Sequence, residues 1–417
     1  MIAKAVTQFF AFKLNDAAKN IDEARFALFS PTGRTSEQEW ADSLYITPSL
    51  RLVETPEFEF SVNALYPSAT SIPPAAVLRL EAGKQNRSYP IAALPLKDKF
   101  SFKLSPGDYE LKATILIGAR ALATTTQTIS LVPELSKKLA SIKADAERPG
   151  TATATTDLET LRSLMSILDS LGAGKTLETN YPAAALASEA AEIASSLKAG
   201  QAYLGPKRNG RQWVTFALPG GPLKTRISIP ARTGNQTPLL IAIHGAGGSE
   251  NMMFDGYGAG RIISMAETRG WIVVSPQATG TKPDSIVALI DAIDKMYHID
   301  RSRVFVAGHS MGAMLTLATI QKSASSFAAA AAVSGGISLN SITEEVRRLP
   351  FYVSAGSDDF ALAGVRKLHD ALTAGGIKQL EYKEFPGIEH LMAFEVSLDG
   401  MFQVFDRISK SAGKASK

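Results

Sequence analysis

Gly308-His309-Ser310-Met311-Gly312 follows the apolar run Arg303-Val304-Phe305-Val306-Ala307 and precedes Ala313-Met314-Leu315-Thr316-Leu317-Ala318. A buried strand running into a sharp turn and then a helix is the setting in which a G-x-S-x-G pentapeptide forms a nucleophile elbow. The small flanking residues let the backbone bend until the serine oxygen stands clear, beside the positive end of the following helix. Outside that setting the pattern occurs by chance in many proteins, so an acid and a histidine further along must complete it.

Both are present, each after its own apolar run. Phe351-Tyr352-Val353-Ser354-Ala355 leads into Gly356-Ser357-Asp358-Asp359, and Leu380-Glu381-Tyr382-Lys383-Glu384-Phe385 into Pro386-Gly387-Ile388-Glu389-His390. A serine hydroxyl is a weak nucleophile. An imidazole must take its proton, and a carboxylate must hold that imidazole in the right tautomer. Of the five histidines, His244 and His309 belong to glycine-rich turns, and His298 and His369 fall on expected helices. His390 alone follows the last expected strand, which makes it the candidate base. Its neighbour Glu389 is expected to be solvated. Upstream, Leu239-Leu240-Ile241-Ala242-Ile243 ends in His244-Gly245-Ala246-Gly247-Gly248. The backbone N–H groups of Ala246 and Met311 are the expected oxyanion hole. A glycine-rich turn after a strand can instead cradle phosphate, but this one carries neither G-x-G-x-x-G nor a P-loop G-K-[ST].

From about Trp213 to Phe405 the chain resembles the α/β-hydrolase superfamily, and within it the bacterial carboxylesterase, polyhydroxybutyrate-depolymerase and feruloyl-esterase group. The resemblance rests on His244-Gly245-Ala246-Gly247-Gly248 and on Tyr297-His298-Ile299-Asp300-Arg301-Ser302-Arg303-Val304-Phe305-Val306-Ala307-Gly308-His309-Ser310-Met311-Gly312. Gly356 with Asp359, spaced G-x-x-D as in relatives, and His390 match the remaining positions. Asp359 is therefore preferred to Asp358 as the acid. The chain departs from the group where Gly312-Ala313 stands in place of two glycines, and in lacking the cysteines of secreted members. The resemblance implies a serine esterase with Ser310, Asp359 and His390 as its catalytic triad. The short stretch Ser334–Pro350 leaves no room for an inserted cap domain, which implies an open site suited to exposed or bulky esters.

Composition bounds the remaining possibilities. A chain of 417 residues with 45% hydrophobic content suits two or three globular domains. The net charge of +4 is scattered and forms no basic stripe for nucleic acid. With zero cysteines, disulfides, thiol catalysis and Cys-ligated zinc are excluded. No His, Asp or Glu group has metal-ligand spacing, and no cofactor is expected. The apolar runs are too short for a membrane span. Phe9-Phe10-Ala11-Phe12 is too short for a signal-peptide core, so the chain fits either a cytoplasmic protein or a secreted one recorded without its leader.

Four regions are expected. Residues 1–51 are mixed, with a helix around Asp16–Ala27. Residues 52–133 hold period-two strands at Phe58–Val62, Val77–Leu80, Phe100–Leu104, Tyr109–Ile115 and Thr126–Leu131, which predict an immunoglobulin-like β-sandwich. There Pro106-Gly107-Asp108-Tyr109 is similar to a tyrosine corner, with an ordinary core tyrosine as the alternative. Residues 134–202 switch to helix, with Leu158, Leu161, Leu164, Leu168 and Leu171 on one face and Thr156 or Asp157 as the cap. Glu147–Thr156 predicts a linker, and the helices a packed connector in preference to a lid.

Residues 203–412 alternate strand and helix. Strands are expected near 212–218, 225–230, 239–243, 271–275, 303–307, 327–333, 351–355 and 380–385. Helices are expected near 255–268, 284–297, 311–323, 362–374 and 391–408. That pattern predicts a mostly parallel eight-stranded sheet covered on both faces, with its site at the strands' carboxyl ends. Gln277 either lines the pocket or, as preferred, holds a loop. The substrate is expected to be a small-molecule or polymeric ester. A peptidase of the prolyl-oligopeptidase type and a binding protein with an idle hydrolase domain remain as alternatives, and the N-terminal sandwich is available for polymer binding or homo-oligomer formation.

Overall fold

The computed structural model describes residues 2–29, 33–146, 155–231, 233, 237–339 and 341–415. The chain forms two compact units, Met1–Pro149 with Leu164–Lys198, and Gly150–Ser163 with Ala199–Lys417. Most of the expected linker Glu147–Thr156, residues 147–154, lies outside the described residues. Among the described residues no helix is long and apolar enough to cross a membrane.

The first unit opens with helices α1 (Ile2–Phe10), α2 (Leu14–Phe29) and α3 (Ser36–Asp42). Thr35 begins α3 with a capping box, accepting the Gln38 N–H while the Gln38 side chain accepts the Thr35 N–H. The strands that follow are β1 (Leu44–Pro48), β2 (Leu52–Val53), β3 (Glu57–Ala64), β4 (Ala76–Ala82), β5 (Gln85–Pro90), β6 (Leu96–Ser101), β7 (Gly107–Ile117) and β8 (Arg120–Leu131). They form a three-stranded sheet, β1-β3-β6, and a five-stranded sheet, β2-β8-β7-β4-β5.

Alternate residues of both sheets meet in one core. Phe58, Phe60, Val62 and Phe100 from the first pack with Leu78, Leu80, Leu111, Ala113 and Ile115 from the second. Trp40, Leu44 and Ile46 join the same core, so α3 and β1 pack with the strands after them. The strand expected at Phe100–Leu104 lies earlier. Lys97, Asp98 and Lys99 are all exposed, which hides the alternation, yet they pair in register with Ser61, Phe60 and Glu59 of β3, respectively. Tyr109 is half-buried, and its hydroxyl donates to the Ser105 carbonyl at 2.8 Å.

Helices α4 (Leu135–Ala146), α5 (Thr156–Gly172) and α6 (Ala183–Lys198) follow, and the division between the units falls within α5. The N-terminus of α6 is tied to the five-stranded sheet by Asp108, whose carboxylate accepts the Ala184 and Ala185 N–H groups at 2.8 and 2.9 Å. The cap of α5 is Thr155, which accepts the Leu158 N–H. Neither expected cap serves: Thr156 takes the Ala217 N–H, and Asp157 the N–H groups of Tyr203 and Leu204.

The second unit contains β9 (Gly210–Leu218), β10 (Gly221–Ile229), β11 (Thr237–Ile243), α7 (Met252–Asp255), α8 (Tyr257–Glu267), β12 (Ile272–Pro276), α9 (Pro283–Tyr297) and β13 (Ile299–His309). It continues with α10 (Met311–Ser323), β14 (Ala329–Val333), α11 (Glu344–Arg348), β15 (Phe351–Gly356), α12 (Leu362–Ala374), β16 (Leu380–Phe385) and α13 (Met392–Ala415). The strands make an eight-stranded sheet in the order β16-β15-β14-β13-β11-β12-β10-β9. Neighbours from β16 to β12 run parallel, and β10 and β9 complete the sheet antiparallel. The central strands are buried on both faces, which explains their unbroken apolar runs. Leu240, Ala242, Phe305, Ala307, Ala329 and Ala331 turn toward α8 and α13, where Ile262, Phe394, Leu398 and Phe402 meet them.

Candidate active site

Ser310 sits between β13 and α10 with φ 54° and ψ −117°, a conformation that L-residues rarely adopt. Two glycines make the bend sterically possible. A Cβ on Gly308 would lie 2.2 Å from the Gly312 carbonyl oxygen, and one on Gly312 would lie 2.1 Å from that of Ile243. The Ser310 N–H is held by the Val333 carbonyl at 2.9 Å. Met311 is the first helical residue, so its N–H has no intrahelical acceptor.

The carboxyl ends of β15 and β16 bring the other two candidates to the serine. His390 Nε2 lies 2.9 Å from Ser310 Oγ, and His390 Nδ1 lies 2.7 Å from Asp359 Oδ1. Both partners of that inner contact are buried, Asp359 at 5% and His390 at 2% exposure, so water does not compete for it. Burial by itself would raise the Asp359 pKa. Hydrogen bonds from His390 and the Ala361 N–H, helped by the nearby Ser334 hydroxyl, outweigh it and hold the carboxyl below its ordinary value. Asp358 is exposed and accepts only the Ser357 hydroxyl at 2.9 Å. Gly356 is required by close approach, since a Cβ there would stand 1.8 Å from the Ile388 carbonyl oxygen.

The turn after β11 lies against the elbow. A Cβ on Gly245 would come within 3.3 Å of Ser310 Cβ, and Ala246 next to it is exposed. His244 holds this turn from beneath. Its Nδ1–H donates to the Gly245 carbonyl at 2.7 Å, and its Nε2 accepts the Ala278 N–H at 2.9 Å beside the Gln277 side-chain amide. Burial keeps His244 neutral by lowering its pKa. Gln277 supports this histidine, its Oε1 2.7 Å from His244 Nε2.

Glu389 is buried at 5% exposure rather than solvated. Its carboxylate accepts the N–H groups of Leu391 at 2.7 Å and Met392 at 2.8 Å, capping α13 immediately after His390. The local sequence gives no sign of this, because the cap depends on where α13 begins. Phe360 is likewise unmarked by any local pattern, and its ring stacks on that of His390 with centroids 4.0 Å apart. Tyr257 carries no sequence motif of its own. Its hydroxyl lies 2.7 Å from His309 Nδ1, and the glycines at 256, 258 and 260 around it were the available signal. His298 is exposed, and His369 stacks on Tyr382.

Sheet order, the elbow and the contacts joining Ser310, His390 and Asp359 give the second unit an α/β-hydrolase-like fold. The pattern of the prolyl oligopeptidase family matches residues 273–352, a span that includes Ser310 and ends before Asp359 and His390. A bifunctional acetylxylan esterase/xylanase of Neocallimastix patriciarum is 29% identical over 143 residues, covering 32% of this chain and 21% of that protein. A probable acetylxylan esterase A of Aspergillus flavus is 30% identical over 131 residues, 27% of this chain and 42% of the other. Among solved structures, the feruloyl esterase module from Clostridium thermocellum complexed with sinapinate is similar at a TM-score of 0.41 and 16% identity, covering 49% of this chain and 90% of that one. The chain spans less than half the length of the curated relatives it matches.

Proposed function

We propose that the second unit, with its catalytic domain over 203–412, is a serine hydrolase that cleaves carboxylic esters through an acyl-enzyme intermediate. The observation that carries this reading is the unbroken contact from Ser310 Oγ through His390 to Asp359 on a strained elbow. In it, Ser310 attacks the ester carbonyl while His390 Nε2 accepts its proton and then passes it to the leaving alcohol. Asp359 fixes the tautomer with Nδ1 protonated and stabilises the imidazolium as it forms. The N–H groups of Met311 and Ala246 receive the oxyanion, each contributing about 3–4 kcal/mol to the transition state. Water then repeats the cycle on the acyl-enzyme.

Esters are favoured for two reasons. The curated relatives are esterases by name. In addition, the exposed large apolar side chains among the described residues of this unit are Met314 (45%), Phe360 (69%) and Met392 (38%). Each lies within four residues of a different triad member, so together they offer an apolar rim to a bulky or aromatic ester. The family match over 273–352 favours a second reading, cleavage of peptide bonds. A side-by-side assay separates the two. Short p-nitrophenyl and hydroxycinnamoyl esters are expected to turn over and aminoacyl amides to remain intact, with Ser310→Ala abolishing ester turnover in a folded protein. Retained turnover in that variant would sink the assignment, and faster amide than ester cleavage would favour the peptidase.

For the first unit we infer an immunoglobulin-like sandwich. Its two sheets over one core and the bond from the Tyr109 hydroxyl to the Ser105 carbonyl support that reading.

A further inference from the structure

Four consecutive residues at the start of α8 have positive φ: Tyr257 (23°), Gly258 (66°), Ala259 (54°) and Gly260 (75°). This is a left-handed turn at the head of a right-handed helix. L-residues avoid that conformation, so it persists only where the surroundings impose it. The surroundings are tight. A Cβ on Gly260 would lie 2.1 Å from the Phe254 carbonyl oxygen, and one on Gly258 would lie 2.6 Å from the Glu395 carboxyl carbon. The turn swings the Tyr257 ring inward against Phe394 and His309, with centroids 4.9 and 5.0 Å away.

The Tyr257 hydroxyl meets two groups there, and chemistry orders them. The Gly245 N–H, 3.3 Å away, can only donate, so the hydroxyl oxygen accepts from it. The hydroxyl hydrogen then goes to His309 Nδ1 at 2.7 Å. His309 is fully buried and neutral, its pKa lowered to about 3 by burial and by the neighbouring His390. With Nδ1 accepting, its one proton sits on Nε2, which donates to the His390 carbonyl at 2.9 Å. A single directed chain results: Gly245 N–H to Tyr257 O–H to His309 Nε2–H to the His390 carbonyl. Its ends are the turn that carries Ala246 and the peptide of the histidine base, and His309 in its middle is bonded to Ser310.

We infer that Tyr257 is a positioning residue, whose hydroxyl ties the oxyanion turn to the histidine loop through His309 and so preorganises both for the transition state. This rests on the ester-hydrolase reading above. Neither Tyr257 nor His309 reaches the reacting atoms, so the effect is one of placement. Misplacing such groups lowers the rate of the chemical step more than it weakens substrate binding.

The test is Tyr257→Phe in the full chain, which keeps the ring and removes only the hydroxyl. kcat and KM are measured on p-nitrophenyl acetate and on an alkyl acetate, with thermal unfolding alongside. The expected result is a kcat lower by about tenfold or more with KM within about twofold. The loss should be larger on the alkyl ester, whose alcohol depends on the proton from His390. An unchanged kcat overturns the inference, and so does a loss equal to the fall in folded fraction. If Tyr257→Phe does not fold, His309→Asn takes its place. It keeps an acceptor for the hydroxyl but cuts the arm to His390, and the same kcat-selective loss is expected. A wild-type protein inert toward both esters would fail the esterase reading itself, whereas an active wild type with unaffected variants fails this inference alone.

Discussion

Asp359 and Asp358 are chemically identical and adjacent, yet their surroundings assign them different work. Asp359 is buried and holds the His390 Nδ1–H at 2.7 Å, and its pKa is held down so that it stays ionised. Asp358 faces solvent. Asp359→Asn should therefore lower kcat by about 10⁴-fold through the wrong imidazole tautomer, while Asp358→Asn stays within about twofold of wild type. Steady-state kinetics on a p-nitrophenyl ester checks this, and the opposite ranking would exchange their roles. Ser310, Asp359 and His390 were legible in the sequence because each follows a continuous apolar strand at a fixed short offset. Tyr257 and Glu389 were not, since their partners, His309 and the first N–H groups of α13, come from distant chain or from an uncertain helix start.

At the scale of elements, the buried parallel strands announced themselves, and β11, β14 and β15 fall at or within a few residues of the expected positions because both of their faces are apolar. Edge elements did not. β5 was not foreseen, because most of its side chains are exposed and carry no alternation, and β6 was displaced by its run of exposed charges. Helix ends behave similarly, as the α13 cap illustrates. Glu389→Ala frees the Leu391 and Met392 N–H groups and should cost about 1 kcal/mol of stability, read as a lower urea midpoint with unchanged slope. An unaltered midpoint would mean that solvent replaces the carboxylate without loss.

Over the whole molecule, the extent of each compact unit is the feature least visible in the local sequence. Trp40 and Ile46 enter the core shared by the two sheets of the first unit, and the division between the two units passes through α5, because long-range packing leaves no local mark. Buried histidines also give the molecule a predictable acid response. His309 has its pKa lowered to about 3 from an ordinary 6.5, and that of His244 is lowered in the same direction. The unfolded chain therefore binds protons that the folded chain refuses. For His309 the stabilisation is complete above pH 6.5 and declines as pH falls toward 3, by up to about 1.4 kcal/mol per pH unit, and His244 adds to the decline in the same direction. Urea unfolding between pH 7 and pH 4 should register this decline, and His309→Gln should flatten it. A stability independent of pH across that window would contradict the buried, neutral assignment.

The central claim is that Ser310 is an activated nucleophile, and covalent labelling tests it most directly. Treatment of the full chain with a fluorophosphonate, followed by peptide mass mapping, is predicted to modify Ser310 alone, with His390→Ala slowing the reaction by orders of magnitude. A label on any other residue, or no label on an active, folded protein, would contradict the account.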